Sequence, residues 1–356
     1  MRLEPVHIDS SESERIATLS FIAACMIVVI HATPAPESGS ALWWITQFFG
    51  GDGICRIAVP YFFVVSGFLL VGRINDVNWY RSAVRKRIHS LLIPYLIWLL
   101  IGLVVRFCIF IGASSLGYQI GIGNPFCSFN LSKVGLDPFH NVGYLWYVRD
   151  LFVLVLFSPF FIYCYKWIGW MVVAVMASVY LFYLSLGLTQ GEMFDFFEYF
   201  LSLRGILYFM IGISIRFSER IWKSLRNDVI PLVSVFLGLL GLWAKSYCVL
   251  KMNNSYANLI DCVSVPFLLI GFWGIGKYIH ANKDLTSLSF HVYLLHPIFL
   301  LLSIAILTIL GLRTMQNASV FIAFLRSFFA IAMAIAVSLI LKTYCKSLSR
   351  IIFGGR

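Results

Sequence analysis

Apolar residues in this chain occur in long unbroken runs, without a narrow helical stripe or strand-like alternation. A helix needs about 20 mostly apolar residues to cross the hydrocarbon core of a bilayer. Ten segments meet that pattern, at residues 16–33, 54–74, 90–111, 144–165, 168–188, 199–217, 229–249, 258–279, 286–311 and 319–344. They predict an all-α fold, a polytopic bundle of about ten transmembrane helices forming one domain over residues 1–356. The first segment is short and the ninth long, which predicts tilt or a break. Residues 79–89 read as a basic interfacial helix leading into the membrane. The longest connection, 112–143, is rich in Gly, Ser, Asn and Pro, as a lid or binding surface would be. There is no 20–50-residue repeat, no low-complexity tract and no separate soluble domain.

Composition points the same way. Hydrophobic residues make up 60% of the chain and charged ones 12%, too few to cover the surface of a soluble protein of 356 residues. The formal charge is +11, but the cations sit in short connections and form no basic stripe with aromatics for stacking bases, so nucleic acid is not an expected partner. Their sidedness is informative. With the N-terminus inside, 18 Lys and Arg fall on the inner side, and the outer loops hold only Lys133, Lys245, Lys251 and Arg313. The positive-inside rule therefore puts both termini in the cytoplasm. The acidic loop with Glu192, Asp195 and Glu198 falls outside. Residues 1–14 are a polar cytoplasmic tail with four acids and no basic n-region, unlike a cleavable signal peptide. The eight cysteines form no CxxC pair and read as small buried hydrophobes, with neither a metal site nor a disulfide framework expected.

Ionisable residues within apolar segments are costly and are usually paired or functional. His31 lies near the outer end of the first segment. It is either an interfacial residue satisfied by a carbonyl or a base able to take a proton from a hydroxyl. Arg149 and Asp150 open the fourth segment; neighbours on a helix do not share a face, so they are not expected to simply neutralise each other. Arg149 could then bind an anion as a planar fork, or anchor the interface beside Trp146 and Tyr147. Arg56, Arg106 and Arg326 read as cations snorkelling to an interface. Arg204 stands out, because it precedes Tyr208, Phe209 and Gly212 on one segment. Arg81, Arg85, Lys86 and Arg87, with His89, form a cluster that suits either anionic lipid or the phosphates of a nucleotide-like donor. His291 and His296 are five residues apart, about 140° around a helix, and are poor joint metal ligands.

Four blocks, in this order and spacing, carry a family resemblance. The first helix ends Val28-Val29-Ile30-His31. The second segment reads Val59-Pro60-Tyr61-Phe62-Phe63-Val64-Val65-Ser66-Gly67-Phe68, followed by Arg85-Lys86-Arg87-Ile88 and Leu92-Ile93-Pro94-Tyr95. The fourth runs from Leu145-Trp146-Tyr147 to Ser158-Pro159. The ninth reads Ser289-Phe290-His291-Val292-Tyr293-Leu294-Leu295-His296-Pro297. Over nearly its whole length the chain resembles the acyltransferase-3 membrane O-acyltransferases of bacteria, including the enterobacterial-common-antigen O-acetyltransferase type. The resemblance implies an acyltransferase of the bacterial inner membrane, with no bound cofactor. It would move an acyl group, usually acetyl, from acyl-CoA to a hydroxyl of a cell-envelope glycan or its lipid-linked precursor. It implies His31 as catalytic base or acyl relay, and substrate contacts from Arg149, Trp146, Tyr147, Ser66, Arg204 and His296. Arg85 and Arg87 would meet the donor phosphates. One departure is plain: the family commonly has an Arg ten or eleven residues before this His, where this chain has Phe21 and Ser20. Arg15, sixteen residues before His31, is about 24 Å away along a straight helix. The alternatives are a transporter or flippase of a lipid-linked sugar, and a catalytically inactive family member.

Overall fold

Backbone N–H and C=O groups in lipid must bond within the chain, and a helix satisfies them within one segment. A computed structural model describes residues 4–33, 39–115, 145–185, 202–251, 254–312 and 319–355, and among these there is no strand. The expected loop sites at Cys127, Lys133, Glu192, Asp195, Glu198 and Arg313 lie outside the described residues, as does the side chain of Arg106.

Helix α1 (Ser10–Ala32) starts on a capping box: Asp9 accepts from the Glu12 N–H and Glu12 reaches back to the Asp9 N–H. Its start defines the proximal end of the bundle and its finish the distal end. Helix α2 (Ala41–Phe49) follows, capped by Ser40. The span pattern did not anticipate it, because nine residues are too short to cross a bilayer. Then come α3 (Ala58–Leu70), α4 (Trp79–Arg87), a π-helical turn over Ile88–Leu92, and α5 (Ile93–Ser115). Helices α6 (Trp146–Leu156) and α7 (Ser158–Ile168) meet at a 61° bend, with Pro159 in the first turn of α7. They are followed by α8 (Met171–Ser185), α9 (Leu203–Arg216) and α10 (Glu219–Arg226). The chain closes with α11 (Val229–Lys251), α12 (Asn254–Ile275), α13 (Lys283–Thr286), α14 (Ser289–Ile309), α15 (Val320–Tyr344) and α16 (Lys346–Ile352).

Each of the ten expected segments contains helix among the described residues, but they are not equal, and ten spans are not what results. Among the described residues seven helical stretches are long and apolar enough to span, two of them runs that join shorter helices (Ala41–Arg73 and Trp79–Val105), and the bent pair α6–α7 makes an eighth candidate. The fifth and sixth segments appear as α8 and α9, only 15 and 14 residues long among the described residues. Bulky apolar side chains face outward in helical stripes, such as Leu232, Phe236, Leu240, Trp243 and Tyr247 on α11. A polar solvent would oppose such a face and a bilayer favours it. This is a multi-pass membrane protein.

The core surrounds α1, which packs on α3, α14 and α15. Small residues let α3 and α9 cross closely: a Cβ on Gly67 would lie 2.2 Å from the Phe209 carbonyl oxygen, and one on Gly212 2.0 Å from that of Val64. The proximal end is tied by ion pairs, Arg226–Glu12 at 2.5 Å and Lys283–Glu14 at 3.1 Å.

Candidate functional site

The last turn of α1 brings His31 against the middle of α14. Its imidazole stacks on that of His296, with centroids 5.1 Å apart and planes 26° apart. His31 keeps an exposed surface, whereas His296 is buried. The sequence explains the orientation of His296. Pro297 follows it inside the helix and has no N–H to offer the Tyr293 carbonyl four residues back. His296 Nδ1 fills that vacancy at 2.5 Å from the Tyr293 oxygen. A carbonyl only accepts, so Nδ1 carries the proton and Nε2 has the lone pair. The His-Pro pair is thus a device for fixing one imidazole, and through the stack it fixes a second.

From His296 a line of aromatic residues runs back through the bundle. Tyr293 lies 6.0 Å from His296 and 5.9 Å from Tyr147, centroid to centroid. Tyr147 packs edge-on against Phe63 at 5.0 Å. Arg87 is the last residue of α4. Arg87 is half-buried and turned inward, while Arg85 on the same helix is exposed.

Beside this line, at the distal end, lies a cavity of about 770 Å³. Ile30 and Thr33 of α1 form part of its wall, with Trp43, Trp146, Arg56, Arg204 and Lys245. Two expected site residues therefore face it, Arg204 at the start of α9 and Trp146 at the start of α6, the latter 37% exposed. Phe63 joins the two parts of the site, 6.2 Å from Trp146 as well as touching Tyr147. Ser66 is half-buried on α3 and is not on the cavity wall.

Several expectations about charge need correction. Arg149 and Asp150 do pair. Arg149 Nε and Nη2 both donate to Asp150 Oδ1, at 2.9 and 2.6 Å, because the long guanidine arm folds back over one residue. The other carboxylate oxygen accepts the Ser202 N–H at 3.1 Å, at the cap of α9. Two of the three nitrogens of the Arg149 guanidinium are therefore committed to Asp150. Lys245 is not in an outer loop but buried within α11. Arg56 does not snorkel: it pairs with Asp52 (Nη1–Oδ1 2.9 Å) and Asp261 (Nε–Oδ2 2.9 Å). Asp261 also holds Lys245 Nζ at 3.2 Å, and Lys245 donates to the Asp52 carbonyl at 2.7 Å. Arg326 is buried as well, its Nε on Ser303 Oγ at 3.2 Å.

Residues 17–343 match the profile of the acyltransferase domain of the third acyltransferase family. The chain belongs to the acyltransferase-3 family. No curated protein and no solved structure matches it. Membership makes this acyltransferase-3 chain a membrane acyltransferase in general terms. It also sharpens the departure in α1. The Ser20 hydroxyl donates to the Ile16 carbonyl at 2.7 Å, and Phe21 is apolar. The Arg15 guanidinium lies 4.7 Å over the Trp273 ring. The sequence reading missed Asp261 and Lys245 of this acyltransferase-3 chain. The signal was present: Asp261 is the sole acid in the apolar run of α12, and such a group calls for a named partner.

Proposed function

We propose that this protein is a membrane O-acyltransferase that moves an acyl group, acetyl in the first instance, from acyl-CoA to a hydroxyl of a cell-envelope glycan or its lipid-linked precursor. It sits in the bacterial cytoplasmic membrane with both termini inside, so that the proximal end faces the donor and the distal cavity the acceptor. The observation that carries the reading is His31 stacked on an oriented His296 beside a cavity large enough for a sugar.

In this reading His31 is the general base. It takes the proton of the acceptor hydroxyl as that oxygen attacks the thioester carbonyl. The C–S bond then breaks and the leaving thiolate takes the proton from His31. A positioned base contributes about 10²–10⁴-fold to such a step. His296 is a positioning residue that holds the His31 ring by stacking. Arg85 and Arg87 meet the donor phosphates, where a guanidinium can make paired hydrogen bonds. In this reading the pantetheine arm reaches His31 from the inner side along Tyr147 and Tyr293, the residues that lead to His296. Arg149 acts through Asp150 on the cap of α9, and so on the placement of Arg204. Ser66 takes no part in this reading.

The test is transfer of labelled acetyl from acetyl-CoA to glycan by the protein in proteoliposomes. His31→Ala should lose about 10²-fold or more, with the helical content and melting temperature unchanged. Near-normal turnover removes His31 from the mechanism. Passage of a lipid-linked sugar across the vesicle without acylation would establish the transporter instead.

A further inference from the structure

The cavity is lined as a carbohydrate site would be, but its charges do not balance. Arg56, Lys245 and Arg204 are on its wall, and Asp52 and Asp261 are the carboxylates that answer them. Both acids are committed. Asp52 Oδ1 holds Arg56, and the two oxygens of Asp261 hold Arg56 and Lys245. Lys245 is further held by the Asp52 carbonyl oxygen. Arg204 is left over. It has no ion pair and no hydrogen bond among the described residues, and it stands half-buried at the mouth of α9.

A guanidinium partly withdrawn from water, with no carboxylate among the described residues to meet it, favours the arrival of an anion. Its planar fork matches a carboxylate or a phosphate. The rest of the wall suits sugar hydroxyls and sugar faces: Gln47 and Asn258 supply amides, and Trp146 offers a partly exposed ring on the same wall. The start of α9 that carries Arg204 is itself pinned, since the Ser202 N–H is bound by Asp150. A recognition group set on a fixed helix end can discriminate ligands at a small entropic cost.

We infer that the acceptor is an anionic saccharide, and that Arg204 recognises its carboxylate or phosphate group within the distal cavity. This rests on reading the cavity as the acceptor side of the enzyme, and it adds the substrate class and a specificity residue. The quartet Asp52–Arg56–Asp261–Lys245 is internally balanced, and three of its members, Asp52, Arg56 and Lys245, form the fixed part of the wall. Arg204 is the part that reads the ligand.

The experiment is a binding titration on the full-length protein in nanodiscs without acyl donor, followed by intrinsic tryptophan fluorescence. The probes are glucuronic acid, glucose 6-phosphate, glucose and inorganic phosphate. One charge-assisted contact should favour an acidic sugar over glucose by about tenfold. Arg204→Gln should abolish that preference, and Arg204→Lys should keep part of it, which separates charge recognition from misfolding. Preference for glucuronic acid identifies a carboxylate, and preference for the sugar phosphate identifies a phosphate. Equal affinity for glucose and both acidic sugars overturns the proposal, as does inorganic phosphate binding with no sugar binding, or a preference that survives in Arg204→Gln. Acyl transfer is not part of the readout. Intact anionic-sugar binding in a protein with no transferase activity would therefore sink the enzyme assignment and the acceptor role, and leave Arg204 as the group that reads an anionic sugar.

Discussion

The two ends of the bundle treat buried arginine in opposite ways. At the distal end Arg56 is held by Asp52 and Asp261 beside an open cavity. At the proximal end Arg216 and Arg15 lie over aromatic rings, Phe68 and Trp273, each at 4.7 Å, while the exposed Arg226, 5.8 Å from the Trp222 ring, is held by Glu12. Those rings themselves stack, Phe68 on Trp222 at 4.9 Å and Trp222 near Trp273 at 5.3 Å. Arg216 is 7% exposed, and its Nε and Nη1 have no hydrogen-bond partner. The N-terminal segment covers this layer, with Val6 donating to the Arg216 carbonyl at 2.8 Å. A ring face stabilises a cation without fixing its hydrogen bonds, which suits a sealed layer. A carboxylate fixes both charge and direction, which suits the wall of a site. The same residue type is thus structural where it is stacked and sealed, and available for chemistry where it borders space.

The sharpest break of that contrast is Asp261→Ala. It leaves Arg56 and Lys245 facing each other without their shared acid. Removing one partner from a buried ionic group costs about 3–5 kcal/mol, so a large fall in melting temperature in detergent is expected. A melting temperature close to wild type would show the distal pairs to be dispensable. Arg216→Met should behave differently. The thioether can fill the space over Phe68, and no hydrogen bond from Nε or Nη1 is lost. The cation–π contribution forgone is about 0.5–2 kcal/mol and is offset by relief of a buried charge. A stability change within about 1 kcal/mol is expected, with sugar binding intact; loss of binding would mean that the two ends communicate.

The smallest effect belongs to Asp9, outside the spans. The Glu12 N–H donated to its carboxylate, then the Ser11 hydroxyl, hold its pKa below the usual range. A depressed folded value stabilises the protein above the unfolded pKa, near 4, and that contribution disappears as pH falls through the folded value. Asp9→Asn should therefore melt slightly lower than wild type at pH 7 and match it in strong acid. A difference that is independent of pH would exclude the carboxylate charge as the cause.

Much of this was legible in the linear chain. The apolar runs announced the helices, the Pro297 after His296 was visible, and His31 and Arg204 stood out as polar residues in apolar company. The charge partners were harder. Arg149 and Asp150 were read as facing apart because helix geometry fixes Cα positions, whereas a guanidine arm reaches over them. Lys245 was placed in a loop because a lysine near the end of an apolar run looks like an anchor. Its acid, Asp261, lies on the next helix, and no local rule links the two.

The amino-acid sequence by itself determined that the chain lives in a bilayer, where its helices run, and which few polar residues they carry. Those follow from transfer energies and backbone satisfaction, which depend on each segment alone. Only the tertiary structure decided that His31 meets His296 across 265 positions, that two acids answer two cations while Arg204 has no ion pair among the described residues, and that a cavity opens beside them. Contacts of that kind depend on how α1, α9, α11, α12 and α14 pack against one another, and packing is set by shape complementarity between helices, which no single run of residues encodes.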